Sequence, residues 1–367
     1  MSQIPLLTLE NFIARPDWAP LPRDPVALPD NAKILILKLS AIGDCLVASP
    51  VARALRLRYP GAHLAWAVQS KAKAVVEDNP HLDETLVWNG QWNDARRLIR
   101  EIRARRFDAV VDLQGALKSA PFLTFSGAAT RVISSRAEAI AQKGANFIVP
   151  MPSPPPHAAE QYLRVAGALD ISPDAPRDLE MGLRDSEHAF AAQFLAQNGF
   201  NSNGVDGARK LLGLNPGAAR AIKQWPPEQF ARLGDLAHQS GVQTVLFGGP
   251  GEEELARKIA DAMQTPPIFA AGKTNLKQLG ALLQRCDLLV SGDTGPMHIA
   301  AGVGTRVLAL FGPTDPFRTG PAGARHVVLA RDLPCRPCFQ KPTCKHFECL
   351  SQLRAEEVWT VAEKLLA

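Results

Sequence analysis

No run in the 367-residue chain approaches the ~20 consecutive apolar residues that a membrane-spanning helix requires. The opening residues, MSQIPLLTLENFIARPDWAPLPRDP, lack a basic start followed by an apolar core, so they do not read as a signal peptide, and a cytoplasmic protein is expected. A large charge excess is missing too: 41 Lys and Arg stand against 36 Asp and Glu, a net of +5. That small, dispersed balance argues against a nucleic-acid partner and gives weak support for anionic ligands or a membrane surface. The G-x-G-x-x-G fingerprint and the Walker motif are both absent, which removes the standard dinucleotide and P-loop sites. Cysteine is scarce and uneven. Cys45 and Cys286 stand alone, whereas Cys335, Cys338, Cys344 and Cys349 crowd into fifteen residues. In a reducing compartment such a cluster favours metal over disulfides.

What is present is an alternation of short apolar runs with helical patterns. KILILKL, HLAWAVQ, ETLVW and DAVVDLQ read as strands, with SPVARALRLRYP, SKAKAVVEDNP and NDARRLIREIRARRF as helices between them. The second half repeats the scheme with KLLGLNPG, QTVLFGG, DLLVSG and RVLALFG as strands. Alternation of this kind builds parallel sheets with helices on both faces. The length is about twice that of a usual domain, so two Rossmann-like α/β domains are expected, binding ligands at the carboxyl ends of their strands. The expected divisions are a proline-rich extension over 1–30, domains over 31–178 and 179–350, and a closing amphipathic helix over 351–367.

Two stretches carry most of the chemistry. In KLSAIGDCLVASP the turn after the first strand holds a single glycine, Gly43, followed by a carboxylate, Asp44, where a phosphate-binding fold would present backbone N–H groups. In DLLVSGDTGPMHIAAGVG a buried strand ends at Gly292, and Asp293, Thr294 and Gly295 start a helix carrying His298. Free N–H groups and the dipole at such a start suit a diphosphate. Asp44 and Asp293 have a plainer reading as helix caps. LNPGAARAIKQWPPEQF adds Asn215 and Gly217 after a strand, with Lys223 as a mobile cation. In GEEELARK, Glu252 to Glu254 either favour a helix dipole or supply a carboxylate for ribose hydroxyls.

Together, KLSAIGDCLVASPVARALRLRYP, DLQGALKSA, NPGA with KQWP, GEEE and SGDTGPMHIAAGVGTRVLALFGPTDP resemble the ADP-heptose heptosyltransferases of glycosyltransferase family 9, in order from about residue 33 to 350. The resemblance implies a GT-B fold, two Rossmann-like domains whose parallel sheets face a central cleft. It also implies inverting transfer of L-glycero-D-manno-heptose from ADP-heptose to the lipopolysaccharide inner core at the inner-membrane surface. Asp44 is then the base, with Gly43 and Lys118 toward the acceptor. Asn215, Gly217, Lys223, Glu252, Asp293, Thr294, Gly295 and His298 are then the donor contacts. In that reading no cofactor is required, because Lys223 and the helix start at Thr294 stabilise the leaving ADP. A family member acting on a protein or another glycan, or a non-catalytic nucleotide-sugar scaffold, would carry the same donor set.

Two features stay open in the sequence. RRLIREIRARRF sets Arg96, Arg97, Arg100, Arg103, Arg105 and Arg106 on one helix, either a solvated face or a dock for anionic lipid. CRPCFQKPTCKHFEC, with spacing C-x2-C-x5-C-x4-C and His346 inside, suits a structural zinc or iron or else four free thiols.

Overall fold

A computed structural model describes residues 6–10, 21–200, 209–338, 344 and 347–367. Two compact units emerge, one ending at Gly182 and the other beginning at Leu183 and taking in the first strand, β1 (Leu6–Glu10). Sequence had given the extension no regular structure. β1 instead runs antiparallel to the last strand of the carboxyl-terminal unit.

The amino-terminal unit alternates β2 (Lys33–Leu37), α1 (Ile42–Val47), α2 (Ser49–Arg58), β3 (His63–Gln69), β4 (Glu84–Trp88), α3 (Trp92–Arg105) and β5 (Ala109–Asp112). It continues with α4 (Ala120–Thr124), β6 (Thr130–Ser134), α5 (Ala139–Gln142), β7 (Phe147–Val149) and α6 (Ala158–Ala166). Its sheet is wholly parallel, in the order β4-β3-β2-β5-β6-β7. Strands covered on both faces read as unbroken apolar runs, and KILIL of β2 is buried at all but its first residue. One face is covered by α3, α4 and α5, whose Leu98, Ile102, Phe122, Leu123 and Ala141 pack with Leu35, Leu37, Ala65 and Leu86. SKAKAVVEDNP forms a 3-10 helix over Ser70–Val75 in place of the expected α-helix.

The carboxyl-terminal unit holds α7 (Asp185–Gln197), β8 (Leu211–Asn215), α8 (Pro227–Gln239), β9 (Gln243–Leu246), α9 (Glu253–Ala262), β10 (Ile268–Phe269), α10 (Leu276–Gln284) and β11 (Leu288–Gly292). It then adds α11 (Gly295–Gly302), β12 (Arg306–Phe311), α12 (Pro316–Thr319), β13 (Val327–Arg331), α13 (Glu348–Ser351) and α14 (Ala355–Leu366). Its sheet order is β1-β13-β12-β11-β8-β9-β10, parallel apart from β1. The closing helix α14 joins this core: Val358, Ala362 and Leu366 share a buried cluster with Phe230 and Leu308. The Trp225 indole N–H, donating to the Leu353 carbonyl at 2.8 Å, fixes its approach.

Both sheets reverse their strand order once, at β2/β5 and at β8/β11. At such a point the crossovers leave neighbouring strand ends in opposite directions and open a crevice beyond the carboxyl ends. Each candidate site sits at one of these two places.

The last residue of the amino-terminal unit has a steric demand. A Cβ on Gly182 would stand 1.8 Å from the Asp78 carbonyl oxygen and 2.3 Å from its carbon, both backbone atoms. Gly182→Ala is therefore expected to cost about 1–3 kcal/mol, the usual range for overpacking. A denaturation midpoint equal to wild type would show that the two segments do not approach this closely.

Candidate active site

In the carboxyl-terminal unit, β8 delivers Asn215 and β11 delivers Gly292 as adjacent strand ends. Beyond them opens a cavity of about 490 Å³ lined by Asn215, Gly217, Lys223, Glu252, Asp293, Thr294 and Gly295, with Arg220 and Thr314. Thr294 is the N-cap of α11, in extended conformation, yet its side chain makes no capping bond. Its hydroxyl instead receives the Asn215 amide at 3.3 Å and lies 3.2 Å from Ser291 Oγ. The first N–H groups of α11 are thus left uncapped by that side chain, where an anion binds best. A Cβ on Gly295 would meet nothing within 4 Å, so the space ahead of the helix start is open.

Polar groups converge on this space. Asn215 gives its amide N–H to Ser291 and Thr294, and its Oδ1 is buried with no hydrogen-bond partner among the described residues. Thr314 Oγ1 is in the same state. An unmatched buried acceptor is costly unless a ligand donor reaches it. Lys223 Nζ sits 2.7 Å from Asp293 Oδ2, which holds the ammonium at the cavity wall. Glu252 Oε2 accepts from the Gly249 N–H at 2.7 Å, and its carboxylate lies against Gly217, where a Cβ would stand 2.1 Å from Oε1. A side chain at 217 would displace the Glu252 carboxylate from this position. Geometry also separates the three glutamates: Glu253 accepts from the Gly251 N–H, and Glu254 pairs with Lys258 on the surface. His298 is buried one turn along α11 and is not among the lining residues.

In the amino-terminal unit, Gly43 and Asp44 lie within the first turn of α1 rather than in a turn ahead of it. The Asp44 side chain is 56% exposed, accepts from the Ala41 N–H at 3.3 Å and lies 3.9 Å from Lys38 Nζ. One carboxylate oxygen thus helps cap the helix while the group still faces solvent. Lys38, which sequence reasoning did not single out, is only 3% exposed, with its ammonium 4.8 Å above the Tyr162 ring. Burial pulls its pKa down, but Tyr162 and Asp44 outweigh burial, and the ammonium stays charged. The available signal was a lysine closing an otherwise apolar strand in KILILK. Lys118 donates to Ser40 Oγ, and burial together with the nearby Lys38 lowers its pKa. Gln114 Oε1 accepts from the N–H groups of Leu39 and Ser40 at 3.2 and 3.1 Å, pinning the segment between β2 and α1. The Cys45 thiol is pushed up to about 12 by burial, which leaves it unreactive.

Beside this segment, at the β2/β5 reversal, a smaller cavity of about 170 Å³ is lined by Lys38, Asp112, Gln114, Arg136, Gln161 and Tyr162. Asp112 is buried and accepts from the Gln114 and Gly115 N–H groups and the Ser119 hydroxyl, at 2.8, 3.0 and 2.8 Å.

The cysteine segment is only partly described, and His346 lies outside the described residues along with 339–343 and 345. Cys335 is exposed, whereas Cys349 is buried, its Sγ 3.2 Å from where a Cβ on Gly312 would stand. Burial pushes the Cys349 thiol up to about 11. Among the described residues no group of three or more His, Cys, Asp or Glu side chains is placed to hold a metal ion. The expected zinc or iron site, which would bring Cys335, Cys338, Cys344 and Cys349 together, is thus not formed among the described residues.

The chain is similar to known proteins over most of its length. The model of glycosyltransferase family 9 (heptosyltransferase) matches residues 95–347. A lipopolysaccharide core heptosyltransferase of Haemophilus influenzae is 29% identical, covering 78% of this chain and 81% of its own. Lipopolysaccharide heptosyltransferase 2 of Escherichia coli K12 is 27% identical, over 81% and 87%. Among solved structures, a family 9 glycosyltransferase from Veillonella parvula superposes with a TM-score of 0.84 at 27% identity, covering 94% of this chain and 99% of that one. The E. coli ADP-heptose lipopolysaccharide heptosyltransferase II gives 0.75 at 25%, over 91% and 98%.

Asp112 predicts a pH effect. Burial raises its pKa to about 6, against about 4 for an unfolded carboxyl. Between these values the native state holds the extra proton, so the contribution of Asp112 is full below about pH 4 and is lost as pH rises through about 6. Urea midpoints of wild type and Asp112→Asn, taken from pH 4 to 7, should therefore shift in favour of the variant as pH rises. A difference that does not change with pH contradicts the assignment.

Proposed function

The chain belongs to glycosyltransferase family 9, and on that premise we propose that it transfers heptose, with inversion, from ADP-heptose to a lipopolysaccharide inner-core acceptor at the inner-membrane surface. The observation that carries the donor half is the cavity at the β8/β11 reversal. It joins an uncapped helix start, a tethered lysine and buried unmatched acceptors, a combination that suits a nucleoside diphosphate. Similarity to lipopolysaccharide heptosyltransferases supports lipopolysaccharide as the acceptor class.

Each residue has a task in this reading. The N–H groups at Gly295 and the Lys223 ammonium receive the diphosphate and offset the charge that develops as ADP departs. Asp293 acts by positioning Lys223, whose ammonium it holds at 2.7 Å. Glu252, held by the Gly249 N–H, offers its remaining acceptor capacity to ribose hydroxyls. The Asp44 carboxylate takes the proton from the acceptor hydroxyl as that oxygen attacks the anomeric carbon, with no covalent intermediate. Lys38 keeps a positive charge 3.9 Å from that carboxylate. Gly43 and Lys118 belong to the same acceptor side. As in family 9, the transfer needs no cofactor.

The test of the acceptor is ADP release from ADP-heptose with purified lipid acceptors carrying zero, one or two heptoses. Turnover is expected with one of them, and none with any would reduce the chain to a binding scaffold. On the donor side, ADP should raise the melting temperature with its affinity, and Lys223→Ala or Asp293→Ala should weaken that shift. An unchanged response in both variants removes the donor from this cavity.

Asp44→Asn separates base from cap, since an amide oxygen still accepts from the Ala41 N–H. A turnover loss of roughly 10²–10⁴-fold is expected, with ADP affinity and melting temperature near wild type. Normal turnover would leave Asp44 as a helix cap alone.

A further inference from the structure

Half of the exposed large apolar side chains among the described residues gather on one layer of the amino-terminal unit. Trp92, Leu117, Phe125 and Ile140 are 56%, 56%, 53% and 47% exposed, and all four lie on or beside α3, α4 and α5. Those helices cover the same sheet face with their buried sides, so the exposed side chains belong to the outer surface of a single layer. The layer is continuous. Trp92 packs on Trp88 at 5.7 Å between ring centroids, Trp88 meets Phe122 of α4 at 5.3 Å, and the Leu117 N–H donates to the Glu138 carboxylate just ahead of α5. Scattered single apolar residues are ordinary on a soluble surface, but several on one layer mark an interaction face.

The unpaired charge on that layer is mainly positive, with Glu138 as an exposed carboxylate ahead of α5. Arg97 is held by Asp94 and Glu101, and Arg105 by Glu84. No ion pair among the described residues engages Arg96, Arg100 or Arg103, all exposed. Trp92, Arg96 and Arg100 follow one another at four-residue spacing and so form a single stripe, opposite the buried Ala95, Leu98 and Ile102. An indole beside free guanidinium groups matches the boundary of an anionic bilayer. There the ring enters the headgroup region, and each cation gains from the negative surface. At its other end the layer adjoins the candidate base: Leu117 precedes Lys118, whose ammonium donates to Ser40, four residues before Asp44.

We propose that the α3–α4–α5 layer, through Trp92, Leu117, Phe125, Ile140 and the free arginines Arg96, Arg100 and Arg103, docks the protein on an anionic phospholipid surface. This rests on the reading that the acceptor is lipid-borne, and it adds which face meets the lipid. Docked this way, the edge of the layer brings the Asp44 segment close to sugars projecting from the bilayer.

The experiment is sedimentation of the full chain with vesicles of phosphatidylethanolamine and phosphatidylglycerol, compared with phosphatidylcholine alone. Binding should require the anionic lipid and fall steeply with salt. It should weaken roughly 10- to 100-fold in the double variant Arg96→Glu, Arg100→Glu. Trp92→Ser and Phe125→Ser should each weaken it as well. Because Trp92 also packs on Trp88, the exposed arginine variant gives the decisive reading if Trp92→Ser loses stability. Turnover on a lipid-free core oligosaccharide should stay at the wild-type level in all three variants. Absence of vesicle binding by wild type, equal binding to neutral vesicles, unchanged binding by the arginine variant, or loss of turnover on the soluble acceptor would each overturn the proposal. The heptosyltransferase reading fails differently, by consuming no ADP-heptose with any acceptor.

Discussion

A parallel sheet that reverses its strand order leaves a gap at the carboxyl ends of two neighbouring strands, and both candidate sites depend on that gap. In the carboxyl-terminal unit it lies between β8 and β11 and is held open by Asn215, whose amide ties Ser291 and Thr294 together across the two strand ends. Without that tie Thr294 would be free to turn its hydroxyl back onto the N–H groups of α11 and cap them. The hydrogen bonds that look purely structural are thus what leaves the helix start available.

The two units fill equivalent gaps with opposite chemistry. At β8/β11 the strand ends carry donors and a tethered ammonium, suited to a diphosphate. At β2/β5 the equivalent place holds Asp44 on a short helix, with a buried ammonium from Lys38 beside it. In the proposed transfer one of these gaps receives the leaving anion and the other holds the proton acceptor. That division is what an inverting transfer needs, since the departing diphosphate and the attacking hydroxyl require charge of opposite sign. Asp44 and Asp293 illustrate how context sets the role of a carboxylate: one faces solvent beside a cation, the other is spent on fixing Lys223.

Much of this was legible in the residues. The central strands of both sheets are unbroken apolar runs, and burial on both faces demands that composition. β7 and β10, with three and two residues, are too short to show a period, and β1 is a strand only because β13 offers it an open edge. The turn residues Asn215, Gly217, Asp293, Thr294 and Gly295 were readable because each follows a strand. Choosing Glu252 from three adjacent glutamates needed coordinates, because only its contact with Gly217 distinguishes it. His298, expected to face the cavity by its spacing along a helix, is buried on α11 and is not among the residues that line it. Lys38 escaped notice because a lysine ending a strand normally snorkels to water. Its burial follows from Tyr162, which is remote in sequence.

The account stands most directly on where the nucleotide binds. A crystal structure of the protein with ADP would settle it. The diphosphate should lie against the backbone N–H groups at the start of α11, within hydrogen-bonding distance of Lys223 Nζ, with a ribose hydroxyl on Glu252. A diphosphate bound instead at the Lys38 cavity of the amino-terminal unit, or anywhere that leaves the α11 start empty, would contradict the division of charge between the two units.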